Sequence, residues 1–370
     1  MRILYVTTIS LTMNTFFKPH IDMLVKEGHE VDIACNCNDL NIDEFYINLG
    51  CKVHQVDFSR SPLSVDNIKA FKQLKNVIKS GSYDIVHCHT PNASVITRLV
   101  CQKFRKRNGL KVFYTAHGFH FYKGAPMLNW MIFYPIEKFC SRFTDKLITI
   151  NKEDYQLAKV KFKSKEVYYV PGVGVDLSRF NNVQVGKCDK RCELGIPSDA
   201  ILLISVGELI KRKNHKVILD AISKINNNGI HYVIAGQGEM LTDLKKFAKE
   251  KGIFNRVHFL GYRKDIAELY KAADICCFPS VHEGLPVALI EAMACGLPIV
   301  CSNIRGNVDL MEGIVGGALF SYDSVDECVK GIENIIKNDC GTMGENNRLK
   351  VQQYSIDSIV SSMKLIYFDI

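Results

Sequence analysis

Two acidic side chains, Glu283 and Glu291, lie in the segment PSVHEGLPVALIEAMACGLPIV at residues 279–300. The segment predicts a strand end, a loop, a helix, a turn and a second strand, because Pro286 suits a first helical turn and Gly296 suits the position after the last one. The helix between them is apolar on every side, so we expect it to be buried. A carboxylate such as Glu291 is costly there unless another group pairs with it.

The loop before this predicted helix presents backbone N–H groups, from about Gly284 to Val287, at the positive end of the helix dipole. Such an arrangement suits an anion. With Glu283 and Glu291 on either side, the segment fits a ligand with a diphosphate in the middle and hydroxyl groups at both ends, which is the layout of a nucleotide-sugar. The spacing alone also permits a structural interpretation, since a lone glutamate in an apolar helix often bonds a nearby backbone group or arginine.

The complete motif EGLPVALIEAMACGLP, at residues 283–298, resembles the E-x7-E signature of the family-four retaining glycosyltransferases of the GT-B fold. The resemblance implies that Glu291 accepts hydrogen bonds from both ribose hydroxyls and that Glu283 holds hydroxyls of the transferred sugar. It also implies that the loop between them contacts the phosphates. The donor-binding residues expected in that loop are Gly284, Leu285, Pro286 and Val287.

A basic loop, ELIKRKNH, follows a predicted strand that ends in glycine. In the family, an arginine directly after the glycine and a lysine about five residues later neutralise the donor diphosphate, and such cations stabilise a departing phosphate. Here Glu208 stands in the arginine position, Lys213 matches the lysine, and Arg212 or Lys211 are candidates to replace the arginine. The alternative interpretation is a solvated loop in which Asn214 caps the next helix.

Four further positions acquire roles from the resemblance. His117, in the sequence TAHG, is expected near the donor sugar as a contact needed for turnover and not as a nucleophile; a half-buried histidine at a strand end is the alternative. Gly236 and Gly238 would let a helix start close to the nucleotide, although a G-x-G alone is a weak signal. Arg263 would lie near the base, with simple surface exposure as the alternative.

Strands and helices alternate along the whole chain, which predicts parallel sheets covered on both faces. Pro and Gly cluster at residues 170–176, and a second set of strand–helix units begins near residue 200. The expected fold class is therefore α/β with two doubly wound, Rossmann-like domains, residues 1–172 and 173–354. The resemblance implies the GT-B arrangement, with the domains facing across a cleft, the acceptor bound by the first, and the C-terminal helix at 355–370 packed back on it.

Composition indicates which broad class of protein this is. The 370 residues are 47% hydrophobic and 23% charged, as in a soluble globular protein. The sequence contains no run of eighteen apolar residues, so it predicts no membrane span. The N-terminus is typical of a buried strand and not of a signal peptide. The 14 scattered cysteines favour reduced thiols in the cytoplasm. No spacing makes a four-ligand zinc site and no D-x-D motif occurs, so we expect neither a metal nor another cofactor.

Charge is distributed unevenly. Residues 1–170 carry 24 Lys/Arg and 15 Asp/Glu, a net +9, whereas the remainder carries 23 and 24, a net −1. A basic first half suits an anionic partner or an anionic membrane surface, and a generic solubility charge is equally consistent. The aromatic segment at 127–134 and the basic run at 103–107 suit a membrane or a lipid acceptor, with core packing as the alternative. No nucleic-acid partner is expected.

The resemblance thus implies a retaining, metal-independent glycosyltransferase. It would move a hexose or N-acetylhexosamine from a UDP-sugar to a lipid-diphosphate-linked glycan, in exopolysaccharide or capsule synthesis, at the inner face of the plasma membrane. One alternative is an NAD-dependent oxidoreductase, which the missing G-x-G-x-x-G after the first strand disfavours. Another is a nucleotide-sugar-binding protein without turnover, which Glu208 keeps open.

Overall fold

The computed structural model describes residues 1–62, 64–181, 183–338 and 340–368. The chain forms two compact units. The first unit comprises Met1–Gly174 and Ile356–Ile370, and the second comprises Val175–Ser355. Each unit is built on one parallel sheet with helices, so the predicted α/β class is confirmed.

The first unit contains a seven-stranded sheet. Its strands are β1 (Arg2–Ile9), β2 (Glu30–Asn36), β3 (Val53–Gln55), β4 (Ile85–His89), β5 (Lys111–Ala116), β6 (Lys146–Thr149) and β7 (Glu166–Tyr169). Their order is β3-β2-β1-β4-β5-β6-β7, with every described pair parallel. The helices that connect them are α1 (Ser10–Phe16), α2 (Lys18–Lys26), α3 (Glu44–Asn48), α4 (Asp66–Gly81), α5 (Pro91–Asn108), α6 (Met127–Cys140) and α7 (Lys152–Lys161).

Strand β1 shows why this sheet needs helices on both faces. Leu4 and Val6 join one buried hydrophobic cluster, while Ile3 and Tyr5 join another. Because successive side chains of a strand point to opposite faces, the sheet buries apolar residues on both sides.

Two helices follow β1 in succession, separated by Phe17. Helix α1 ends at Phe16, and α2 begins at Lys18 with Pro19 in its first turn. Proline is tolerated in a first turn but cannot donate the hydrogen bond required inside a helix. The chain therefore restarts its helix at this point.

The second unit contains a six-stranded sheet. Its strands are β8 (Ile201–Val206), β9 (Ile230–Ala235), β10 (Val257–Gly261), β11 (Ile275–Phe278), β12 (Ile299–Ser302) and β13 (Gly317–Phe320). Their order is β10-β9-β8-β11-β12-β13, again parallel. The helices are α8 (Ser178–Asn181), α9 (Lys187–Glu193), α10 (His215–Lys224), α11 (Leu241–Glu250), α12 (Ile266–Ala272), α13 (Val287–Ala294), α14 (Asn307–Met311), α15 (Val325–Lys337) and α16 (Cys340–Val351).

The last helix, α17 (Ile356–Phe368), belongs to the first unit. Its buried residues Ile359, Met363 and Tyr367 join the cluster that contains Ile3 and Tyr5. The Lys146 ammonium donates to the Ile366 carbonyl at 2.6 Å. None of the helices in the described ranges combines the length and the apolar character needed to cross a bilayer.

Candidate functional site

Helix α13 follows the carboxyl end of β11 and carries Glu291. Pro286 is the residue before its first turn, one position earlier than predicted, and Gly296, with φ +76°, follows its last turn. Leu289 and Met293 are fully buried, so the helix is anchored in the core of the second unit. Ligands of parallel α/β sheets bind in the loops at the carboxyl ends of the strands, and α13 begins after such a loop.

The Glu291 carboxylate makes no hydrogen bond or ion pair within the part of the chain that the structure describes. Burial raises its pKa to about 7, against an opposing effect of the nearby Arg179 charge. A half-buried carboxylate without a partner is costly to the fold. Hydroxyl donors on a ligand would relieve that cost.

Glu283 lies at the centre of a charge cluster. Its Oε1 accepts from Arg212 Nη1 at 2.6 Å and from Lys213 Nζ at 2.8 Å. Arg212 also donates to the His282 carbonyl at 2.8 Å, and the Lys213 ammonium lies 4.9 Å from the centre of the Phe278 ring. The structure therefore brings together three of the predicted side chains from two separate loops.

The other members of the basic loop behave differently. Among the described contacts, neither Glu208 nor Lys211 joins this cluster. Asn214 precedes α10 but its side chain does not cap the helix; it donates instead to the Tyr322 carbonyl at 2.8 Å. The capping role offered as an alternative for Asn214 is therefore wrong.

Glycines allow the loops after β8 and β9 to pack together. A Cβ atom on Gly236 would lie 1.8 Å from the Gly207 carbonyl oxygen, and one on Gly238 would lie 2.4 Å from that of Leu209. The Leu209 amide also donates to the Gln237 carbonyl at 2.8 Å. These glycines thus have a packing role in the second unit, and their approach to a nucleotide stays a prediction.

Arg305 contacts the loop at residues 282–287, and the sequence did not predict this role. The buried Arg305 guanidinium donates to the Glu283 carbonyl at 3.1 Å and contacts His282 Nε2 at 2.8 Å. Gly306, with φ +79°, follows it, and a Cβ atom there would lie 2.4 Å from the Gly284 carbonyl oxygen. The available signal was an Arg-Gly pair just after a strand.

The amides of Gly284, Leu285 and Val287 donate to no protein oxygen in the described residues. They precede α13 or begin it, so they are available to an anion there. The resemblance assigned these residues to the phosphates, and that assignment stays a prediction.

Arg263 is placed in a separate network. Its guanidinium donates to Asp265 at 2.7 Å through Nε and to Glu193 at 2.8 Å through Nη2. Lys190 bonds the same two carboxylates. Within the described residues, Arg263 contacts neither Glu283 nor Glu291, so the structure does not gather it with them.

His117 lies in the first unit, just beyond the end of β5. Its Nε2 is 3.2 Å from Nδ1 of the buried His89. Burial, together with the nearby His20, lowers the pKa of His117 to about 4. The imidazole is therefore neutral near pH 7 and can offer a hydrogen bond but no charge to a ligand.

Comparisons with known proteins agree with this fold. Residues 2–151 match the family described as glycosyl transferase 4-like, and residues 187–355 match glycosyl transferases group 1. The chain is 33% identical over 374 residues to the putative glycosyltransferase EpsD of Bacillus subtilis, covering 99% of this chain and 96% of that protein. It is 29% identical over 352 residues to the UDP-Gal:alpha-D-GlcNAc-diphosphoundecaprenol alpha-1,3-galactosyltransferase of Escherichia coli, covering 88% and 90%.

Among solved structures, Anabaena HepE in complex with UDP and glucose superposes with a TM-score of 0.78 and 18% identity, over 100% of both chains. The fold is thus that of the GT-B glycosyltransferases. The chain belongs to the group 1, GT4-like family of glycosyltransferases. The predicted family, fold class and enzyme class are confirmed, and neither the oxidoreductase nor the inactive binding protein is supported.

Proposed function

We propose that this enzyme transfers a hexose or N-acetylhexosamine from a UDP-sugar to a lipid-diphosphate-linked glycan, with retention, in the synthesis of an exopolysaccharide or capsule. The name of the E. coli relative supports both halves, since it gives a UDP-sugar donor and a diphosphoundecaprenol acceptor. The observation that carries the donor half is the unpartnered Glu291 carboxylate on α13, together with the Arg212–Lys213–Glu283 cluster at the loop that precedes the same helix.

In this proposal, Glu291 accepts hydrogen bonds from the ribose hydroxyls, and the free amides before α13 bind phosphate oxygens. Lys213 and Arg212 compensate the charge that develops on the departing diphosphate, so no metal is required for that task. Glu283 then holds hydroxyls of the transferred sugar. His117, a neutral donor, contacts the sugar or phosphate.

We further propose that the enzyme works as a peripheral protein on the inner face of the plasma membrane. Of the aromatic segment, Trp130, Phe133 and Tyr134 pack against the core of the first unit. The outer face of α6 is different, because it exposes large apolar side chains. These are Met127, Leu128, Met131, Ile132, Ile136 and Phe139.

Basic side chains flank this apolar face. Lys138 and Arg142 are exposed on and just after α6. The exposed Lys106 and Arg107 end α5, which meets the same region, since Arg105 donates to the Arg142 carbonyl at 3.3 Å. An apolar face rimmed by cations suits an anionic lipid surface.

The donor half is tested by calorimetric titration of the protein with UDP, GDP, ADP and NAD, in parallel with Glu291→Ala. We expect UDP to bind best, and Glu291→Ala to weaken it about tenfold or more, because two hydrogen bonds to a charged group are lost. Tighter binding of GDP or ADP would overturn the UDP assignment. Binding of NAD alone would overturn the donor proposal.

A further inference from the structure

Three connected cavities lie in the first unit, on the side where its strands end. The first, the apolar chamber, has a volume of about 190 Å³ and is walled by α5 and α6. Val95, Ile96, Phe121, Phe133 and Ile136 supply most of its apolar surface. Glu137 reaches its wall, but the carboxylate is paired with the buried Arg98 at 2.8 Å and so presents no net charge.

The chamber continues into a middle compartment of about 470 Å³, and the two share His120, Phe133, Pro91 and Asn92 among their lining residues. The middle compartment reaches Thr8 and the ends of β1 and β4. A third, polar compartment of about 360 Å³ shares Ile9 and Arg60 with it. Amide and carboxylate side chains line this last compartment, including Asn36, Asn38 and Asp57.

Arg60 lies at the junction of the middle and polar compartments, because it lines both. Its side chain is exposed and forms no ion pair within the described residues. An arginine is well suited to two phosphate oxygens, because its guanidinium donates in a planar fork. The lining therefore changes from apolar side chains in the chamber, through Arg60 at the junction, to amides and carboxylates in the polar compartment.

We propose that these cavities bind the acceptor as an extended amphiphile. The apolar chamber takes the first isoprene unit of a polyprenyl chain, Arg60 binds the diphosphate, and the polar compartment takes the attached sugar. This assignment rests on the proposed function, and it adds the residues that bind the lipid, the diphosphate and the sugar of the acceptor.

The size and polarity of the chamber support a hydrocarbon occupant. An apolar cavity of about 150 Å³ stays dry and binds benzene, so a chamber of this volume accepts a five-carbon unit. A water-soluble sugar acceptor would leave its aromatic walls unused. The continuity between Ile136, which lines the chamber, and the exposed face of α6 provides a path from a membrane to the chamber.

The single tryptophan of the chain gives a direct binding signal. The Trp130 ring lies 5.5 Å from that of Phe121, which lines the chamber. The experiment titrates the full chain with farnesyl diphosphate, farnesol or inorganic diphosphate while Trp130 fluorescence is recorded. Saturating UDP is present, because the Arg212–Lys213 cluster of the second unit would otherwise compete for diphosphate.

We expect farnesyl diphosphate to bind at least tenfold more tightly than either fragment, since it engages both the chamber and Arg60. Val95→Phe fills the chamber and should weaken farnesyl diphosphate tenfold or more while leaving inorganic diphosphate unchanged. Gln102→Phe, which adds the same ring at an exposed site of α5, should change neither. Arg60→Gln should weaken both diphosphates, whereas Lys75→Gln on α4 should not.

Ile136→Asp provides a second chamber variant at a position that is already 41% exposed, and its thermal unfolding is measured to verify that it folds. It should weaken farnesyl diphosphate as Val95→Phe does. Unchanged farnesyl diphosphate affinity in both chamber variants, or equal affinity for farnesol and farnesyl diphosphate, would overturn the proposal. If UDP binds and farnesyl diphosphate does not, the acceptor site alone is wrong; if UDP itself fails to bind, the donor proposal has failed instead.

Discussion

Glu291 couples the stability of the free enzyme to nucleotide affinity. Its pKa is raised from the ordinary 4.5 to about 7, so the folded protein holds this proton more tightly than the unfolded chain. Stability from this group is present below about pH 4.5 and is lost as the pH rises through about 7. The ionised carboxylate, however, is the better acceptor for ribose hydroxyls.

We therefore expect UDP affinity to rise up to about tenfold from pH 6 to pH 8, as Glu291 ionises. Glu291→Gln should flatten this profile and raise the melting temperature of the free protein at pH 8. Calorimetry and thermal unfolding at both pH values measure the two effects. Glu250→Gln, on the exposed surface of α11, is the control, and an unchanged pH profile in Glu291→Gln would contradict the assignment.

Glu283 pairs with both Arg212 and Lys213, so a diphosphate has to displace the Glu283 carboxylate to bind these cations. Glu283→Gln removes this competition, so we expect UDP to bind at least as tightly as to the wild type. Transfer should nevertheless fall tenfold or more, because a hydroxyl contact made to the sugar is weakened. Initial rates and UDP calorimetry separate the two effects. Lower UDP affinity with normal turnover would mean that Glu283 only orders the loop.

At the residue scale, sequence reasoning found groups whose roles depend on the local motif, and it missed those defined by contacts across the fold. The pairing of Lys213 and Arg212 with Glu283 joins loops about seventy positions apart. The resemblance had named Lys213 and Glu283, and Arg212 was one of two candidates to replace the missing arginine. Arg305 supports the same loop from a different strand end, and the Arg-Gly pair in the sequence does not by itself predict that contact. The substitution at Glu208 is visible in the sequence, and nothing in the structure explains it.

The loop before α13 depends on close packing of backbone against backbone. Gly306→Ala would place a Cβ atom 2.4 Å from the Gly284 carbonyl oxygen, so we expect the loop to shift and UDP affinity to fall about tenfold. Gly313→Ala is a matched control, because Gly313 has nearly the same φ, +77°, with nothing within 4 Å. Both variants should lose about 1 kcal/mol or more through backbone strain. Equal UDP affinity in Gly306→Ala and Gly313→Ala would contradict the idea that the position of the loop before α13 determines UDP binding.

Helices α5 and α6 are joined by the buried pair of Arg98 and Glu137, 1% and 7% exposed. Arg98→Met leaves the Glu137 carboxylate without its partner and should cost about 3–5 kcal/mol in the free energy of unfolding of the first unit. The double variant Arg98→Met with Glu137→Met should recover much of that loss. Urea unfolding followed by Trp130 fluorescence reports on this unit. A double variant no more stable than the single one would show that the pair is not the source.

At the element scale, periodicity predicted the strands well because they are buried on both faces and read as apolar runs. The sequence did not reveal the exposed outer face of α6. Trp130, Phe133 and Tyr134 pack inward, while Met127, Met131 and Phe139 point outward, and composition does not distinguish the two sets.

At the scale of the molecule, the two units differ in charge as well as in task. The net +9 of residues 1–170 lies in the unit that carries the apolar face of α6 and the three cavities. The unit with the Glu283 and Glu291 site has nearly balanced charge. The difference in charge between the units can be counted from the sequence. The sequence does not show which surface the basic residues surround, and that surface determines what they attract.

The membrane proposal predicts that the wild-type enzyme sediments with vesicles of phosphatidylcholine and phosphatidylglycerol, more strongly at low salt, and weakly with phosphatidylcholine alone. Each Lys or Arg near an anionic surface contributes about 1 kcal/mol, which salt screens. Met131→Asp, at a position 68% exposed on α6, should reduce binding tenfold or more by adding a charge to the inserted face. Ile47→Asp, at a 54% exposed apolar position on α3, is the matched control. Equal losses in both variants, or indifference to phosphatidylglycerol, would mean that α6 is not the surface that meets the lipid.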